Sequence, residues 1–106
     1  MKPRILVVDD EKPILSAIQR SLRDDFDVTV CSSIQEASEI IKAKDLDVVI
    51  SDYALGSEIT GAGFLESLSR EKPYIARIML TGYSSSQIAE EAINKAGVFR
   101  FITKPW

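Results

Sequence analysis

Histidine is absent from the 106 residues. Serine-histidine and cysteine-histidine catalysis and histidine-based zinc sites are excluded with it. A single cysteine, Cys31, forms no internal disulfide, and its place in the alternating segment VTVC marks it as a packed thiol suited to a reducing cytoplasm. Long apolar runs are missing too. The longest stretches resemble Ile5–Val8, far short of a spanning helix, and the charged start MKPRILVVDD offers no secretory signal. Neither sign of charge dominates: 13 basic and 16 acidic residues give a net charge of -3, mixed along the chain. No cationic surface recommends direct nucleic-acid binding or an anionic membrane. The length accommodates one domain, residues 1–106, with a modest core.

What is present alternates between two patterns. Residues 4–9, 27–31, 47–52, 77–81 and 98–103 are short and rich in Val, Ile, Leu, Met and Phe, as strands are. Between them run helical stripes: Ile14, Leu15, Ile18 and Leu22, then Ile34, Ala37, Ile40 and Ile41 behind a Ser33/Glu36 capping box. Phe64, Leu65 and Leu68 open a third helix; Ile88, Ala92, Ile93 and Ala96 mark a fourth, stopped by Gly97. The first and third strands are almost unbroken apolar runs, as burial on both faces requires, whereas VTVC alternates like a half-exposed edge strand. Parallel strands joined by right-handed helical crossovers predict a doubly wound α/β fold. A five-stranded parallel sheet of order 2-1-3-4-5 then sets the first and third strands side by side.

Each apolar run ends in chemistry. Asp9-Asp10 follow the first strand, Asp52 the third, Thr81 the fourth and Lys104 the fifth. In such a sheet these residues meet at the carboxyl edge, where open α/β sheets place their ligands. Two carboxylates about 4 Å apart repel by roughly 4 kcal/mol at an effective dielectric of about 20, so three of them call for a cation. An all-oxygen set suits a hard ion, with Mg2+ the default. A metal, an ammonium and a hydroxyl around one carboxylate are the parts that stabilise a phosphoryl group during transfer to that carboxylate. Asp52, alone at its strand end, is the candidate acceptor; Asp9 and Asp10 are the paired metal-holding unit.

With the motifs ILVVDD, VVISDY, IMLTGY and FRFITKPW, the chain resembles the receiver domain of two-component response regulators over essentially its whole length. The resemblance implies the flavodoxin-like form of the sheet, with Asp52 as phosphoacceptor. Asp10 and Asp52 would ligate Mg2+ directly, Asp9 largely through water, and Ala54 through its main-chain carbonyl. Thr81 would be the switch hydroxyl, Lys104 the ammonium contact, Phe101 the aromatic switch position, and Lys104–Pro105 a cis peptide. The phosphoryl donor would be a histidine kinase or a histidine phosphotransfer protein, and the output would pass to a downstream effector domain or protein. The loop DYALGSEITGAGFL departs from the family pattern Asp-x-x-Met-Pro, and the small Ala54 implies slow self-dephosphorylation. A receiver also has a fifth helix, missing from this chain. The expectation is a domain truncated after its fifth strand, with an apolar face beside the first helix open to self-association. Two other readings stay open: a phosphate-independent receiver-like binding module, and a phosphatase of the haloacid dehalogenase type, which carries its nucleophile in Asp-x-Asp on the first strand.

Overall fold

The computed structural model describes residues 2–52, 61–81 and 100–103, and side chains within 2–52 and 63–80. The elements run β1 (Arg4–Val8), α1 (Lys12–Leu22), β2 (Asp27–Cys31), α2 (Ile34–Ala43), β3 (Val48–Asp52), α3 (Gly61–Glu71), β4 (Ala76–Thr81) and β5 (Arg100–Thr103). The sheet has the order β2-β1-β3-β4-β5, and every described pairing is parallel, as the alternating patterns predict. Strand limits agree with the sequence reading to within one or two residues. The expected fourth helix, the loop carrying Ala54, and Lys104 with its peptide to Pro105 lie outside the described residues. Among those described, no helix is long and apolar enough to cross a membrane.

The sheet divides the core in two. On one side Leu6, Val8, Val49 and Met79 meet Ala37 and Ile41 of α2 and Phe64, Leu65 and Leu68 of α3. On the other, Ile5, Val7, Ile50 and Leu80 meet Leu15 and Ile18 of α1, with Ile14 and Leu22 packed alongside. The helical stripes read from sequence are therefore the buried faces, because residues three and four apart share one side of a helix. Leu65 is fully buried in the first cluster. Leu65→Ala is expected to cost about 3 kcal/mol through lost burial and the cavity left behind. Urea denaturation with an unchanged slope would measure it, and a loss under about 1 kcal/mol would contradict this packing.

Two local expectations are modified. β2 is the sheet edge, yet its middle residues Val28, Thr29 and Val30 are all half-buried instead of alternating. Val28 and Val30 pack toward α1 while Cys31 packs with α2 and α3 on the opposite side, so both faces of the edge strand are covered. At the start of α2, Ser33 Oγ accepts from the Glu36 N–H at 3.1 Å. The Glu36 carboxylate does not reach back to the Ser33 N–H; it accepts from the hydroxyls of Ser32 and Ser33, at 3.1 and 3.3 Å. The cap is half a capping box closed by side chains.

Asp47 fastens the strands at the opposite end of the sheet from the acids. Its Oδ2 accepts from the Arg4 N–H at 2.8 Å, its own N–H donates to the Arg4 carbonyl at 2.9 Å, and its carbonyl accepts from the Ala76 N–H at 3.0 Å. Three strands thus start in a common register, which fixes where they end.

Cys31 is buried. Burial pushes its thiol from 9.0 up to about 11, a backbone hydrogen bond at Ser33 acting in the opposite sense and the charge of Glu36 adding to the rise. The unfolded thiol ionises near 9 while the folded one keeps its proton to about 11, so folding stability falls as pH rises across that window and is unaffected below it. Cys31→Ala should flatten this alkaline slope. Denaturation midpoints from pH 8 to 11 provide the comparison, and an identical slope in both proteins would contradict the burial of the thiol.

Candidate functional site

Parallel register brings the acids together. β1 and β3 are neighbours with Val8 opposite Ser51, so Asp9 and Asp52 each lie one residue beyond that pair. β3 and β4 pair Asp52 with Leu80, setting Thr81 one step further on, and β4 and β5 pair Thr81 with Thr103, immediately before Lys104. The order of the strands therefore converts four separated chain positions into one edge.

Carboxylate oxygens of Asp9, Asp10 and Asp52 lie within 4.8 Å of one another. Asp9 is fully buried, Asp52 is 5% exposed, and Asp10 is exposed. The sequence leads to this gradient: Asp9 and Asp52 follow the last apolar residues of interior strands, whereas Asp10 begins the turn into α1. Asp9 Oδ1 accepts the Glu11 N–H at 2.9 Å. Glu11 is the N-cap of α1 and makes no capping bond with its own side chain. The Asp9 carboxylate thus does part of the capping from two residues upstream and anchors the acid cluster to the helix, whose N-terminus favours negative charge. With one oxygen committed to that N–H, Asp9 is better placed to support a cation than to surround it.

The donor set is entirely hard oxygen, half enclosed by sheet and helix and open at Asp10. That combination fits a Mg2+ or Ca2+ ion that keeps part of its water shell. The three acids named from sequence are the ones brought together. Thr81 sits at the end of β4 and Phe101 in β5 opposite Met79, while the side chains of both, and the whole of Ala54 and Lys104, lie outside the described residues.

Two features escaped the sequence reading. The Asp9–Glu11 bond had a signal, an Asp two residues ahead of a helix N-cap, which is the spacing of an Asx turn. Ser51 is the other, a fully buried hydroxyl next to Asp52 whose signal was a lone polar residue in the apolar run VVIS.

The family described as response regulator receiver domain matches residues 5–106. Among characterised sequences, the chain is 34% identical over 102 residues to the hydrogenase transcriptional regulatory protein HoxA of Cupriavidus necator, an alignment covering 96% of this chain and 21% of that protein. The chain thus spans about a fifth of the length of that relative. Among solved structures, the signal receiver domain of an HD domain-containing protein from Pseudomonas fluorescens superposes with a TM-score of 0.93 at 28% identity, covering all of this chain and 85% of the other. A response regulator from Burkholderia pseudomallei, solved with a phosphorylated aspartic acid, calcium ion and citrate, superposes with a TM-score of 0.89 at 26% identity over 99% of this chain and 61% of that one.

Proposed function

This chain belongs to the response regulator receiver domain family, and we propose that Asp52 is its phosphoacceptor, with Asp9, Asp10 and the Ala54 main-chain carbonyl completing a Mg2+ site around it. The observation that carries the reading is the gathering of three carboxylates, at the ends of two neighbouring strands, within 4.8 Å of one another. The phosphorylated aspartic acid and calcium ion of the Burkholderia pseudomallei response regulator support the same pairing of acceptor and divalent ion.

The chemistry is a phosphoryl relay. A carboxylate oxygen of Asp52 attacks phosphorus of a phosphohistidine, the new O–P bond forms as the N–P bond breaks, and the departing imidazole nitrogen keeps the electron pair. Bound Mg2+ supplies neutralising charge for the phosphoryl oxygens. Asp9, held by the Glu11 N–H, keeps its place as charge moves in the site. Lys104 provides an ammonium for a phosphoryl oxygen and Thr81 a hydroxyl donor, the two contacts that distinguish the phosphorylated state. Thr81 moving toward the phosphoryl group frees space for Phe101, and the surface at β5 changes with it.

The chain works in the cytoplasm, and because it has no histidine its phosphoryl donor is a histidine kinase or phosphotransfer protein. The receiver of the signal is an effector domain or protein, and self-association is a further means of output. Small-molecule turnover is not expected, and the match over residues 5–106 favours neither the phosphatase reading nor the phosphate-independent one. Beryllofluoride, which mimics a phosphoryl group on a carboxylate, tests the proposal. Fluorine NMR should show one bound species that requires Mg2+, and its absence at saturating Mg2+ would contradict the site.

A further inference from the structure

We infer that Ser51 is a positioning residue for the acceptor, its hydroxyl locking the peptide that follows Asp52. The inference rests on the phosphoacceptor reading above and goes beyond it by adding a residue that never touches the phosphoryl group.

The register shows why the lock is needed. Pairing between β1 and β3 ends at Val8 opposite Ser51, whereas pairing between β3 and β4 continues one residue further, to Asp52 opposite Leu80. Among the described residues, Asp52 therefore lies where one of its two flanking ladders has stopped. At this position Ser51 Oγ donates to the Asp52 carbonyl at 3.1 Å. The bond restrains the rotation that sets that carbonyl, and with it the backbone angle that decides which rotamers the Asp52 side chain adopts.

Packing gives no reason for a hydroxyl here. Ser51 is fully buried, and strand alternation directs it to the same face as Val49, toward the apolar cluster of α2 and α3. A hydroxyl in such surroundings costs stability unless it is bonded, and a small apolar side chain would fill the space without that cost. The bond it makes is to the backbone of the neighbouring acceptor. Attack on phosphorus tolerates little misalignment, so an acceptor freed to sample other rotamers loses rate even though its own atoms are unchanged.

Ser51→Ala, Ser51→Cys and Ser51→Thr separate positioning from filling. Cysteine nearly matches serine in size but is a weak donor, while threonine keeps the hydroxyl. With acetyl phosphate and saturating Mg2+, the Ala and Cys variants should each form the Asp52 adduct about tenfold more slowly, in the maximal rate and not in the half-saturating donor concentration, and Thr should recover most of it. A Cys variant that reacts like the parent, or Ala and Cys both at the parental rate, would overturn the inference while leaving the acceptor in place. A parent that forms no adduct would overturn the phosphoacceptor reading and this role with it. Should the Ala variant fail to fold, the Cys and Thr pair alone decides the matter.

Discussion

Asp52→Asn is expected to take up no phosphoryl group from labelled acetyl phosphate under conditions where the parent chain is readily labelled. The amide keeps the shape of the side chain and removes what the reaction uses, an anionic oxygen able to form the O–P bond. It also takes one charge from the acid cluster, so Mg2+ binds less tightly. Asp52 is 5% exposed, and its neighbours Asp9 and Asp10 point the remaining carboxylates at the same space. The loss should therefore be total and not partial, because neither neighbour replaces Asp52 at the end of β3. Unchanged cooperative unfolding of the variant shows that the fold survives, and labelling at the parental rate would place the acceptor elsewhere.

Asp10→Asn should separate stability from metal binding. With carboxylate oxygens within 4.8 Å of each other, the metal-free acids repel, and solvent at the exposed Asp10 limits the relief from neutralising it to about 1 kcal/mol. The metal-free variant is expected to be more stable than its parent by about that amount. Added Mg2+ should then do little for it, whereas a parent saturated a hundredfold above its dissociation constant gains about 2.7 kcal/mol. Urea unfolding with and without Mg2+ gives all four values. A metal-free variant less stable than its parent would show that Asp10 is held by bonds and not strained by like charge.

The fold was legible because its determinants are periodic. Apolar runs at Ile5–Val8 and Val48–Ile50 announced interior strands, and the stripes at Leu15/Ile18 and Ala37/Ile41 announced which helix faces are buried. The three acids were legible for a related reason: Asp9-Asp10 and Asp52 come where apolar runs end, and parallel strands finish on one edge. Bonds whose partners are chosen by three-dimensional placement were not. The bond from the Glu11 N–H to Asp9 depends on how the chain turns between β1 and α1, and the closure of the α2 cap through hydroxyls depends on the rotamer of Glu36. Arg77 illustrates the same limit. Nothing in ARIML marks a buried arginine, yet it is 7% exposed because its guanidinium donates to the carbonyls of Ile75 at 2.7 Å and Pro73 at 3.3 Å. The alternation of VTVC rightly marked an edge strand, but not that Val28, Thr29 and Val30 would all be half-buried, since coverage of an edge strand depends on how far helices overhang it, a tertiary quantity that local pattern does not contain.

Peptide mapping by mass spectrometry, after reaction with a phosphohistidine donor in the presence of Mg2+ and under conditions that preserve acyl phosphates, tests the phosphoacceptor assignment most directly. A single phosphoryl group on the peptide containing Asp52, absent when Mg2+ is chelated, is the predicted result. An adduct on Asp9, Asp10 or a hydroxyl, or none on the Mg2+-saturated chain, would contradict it.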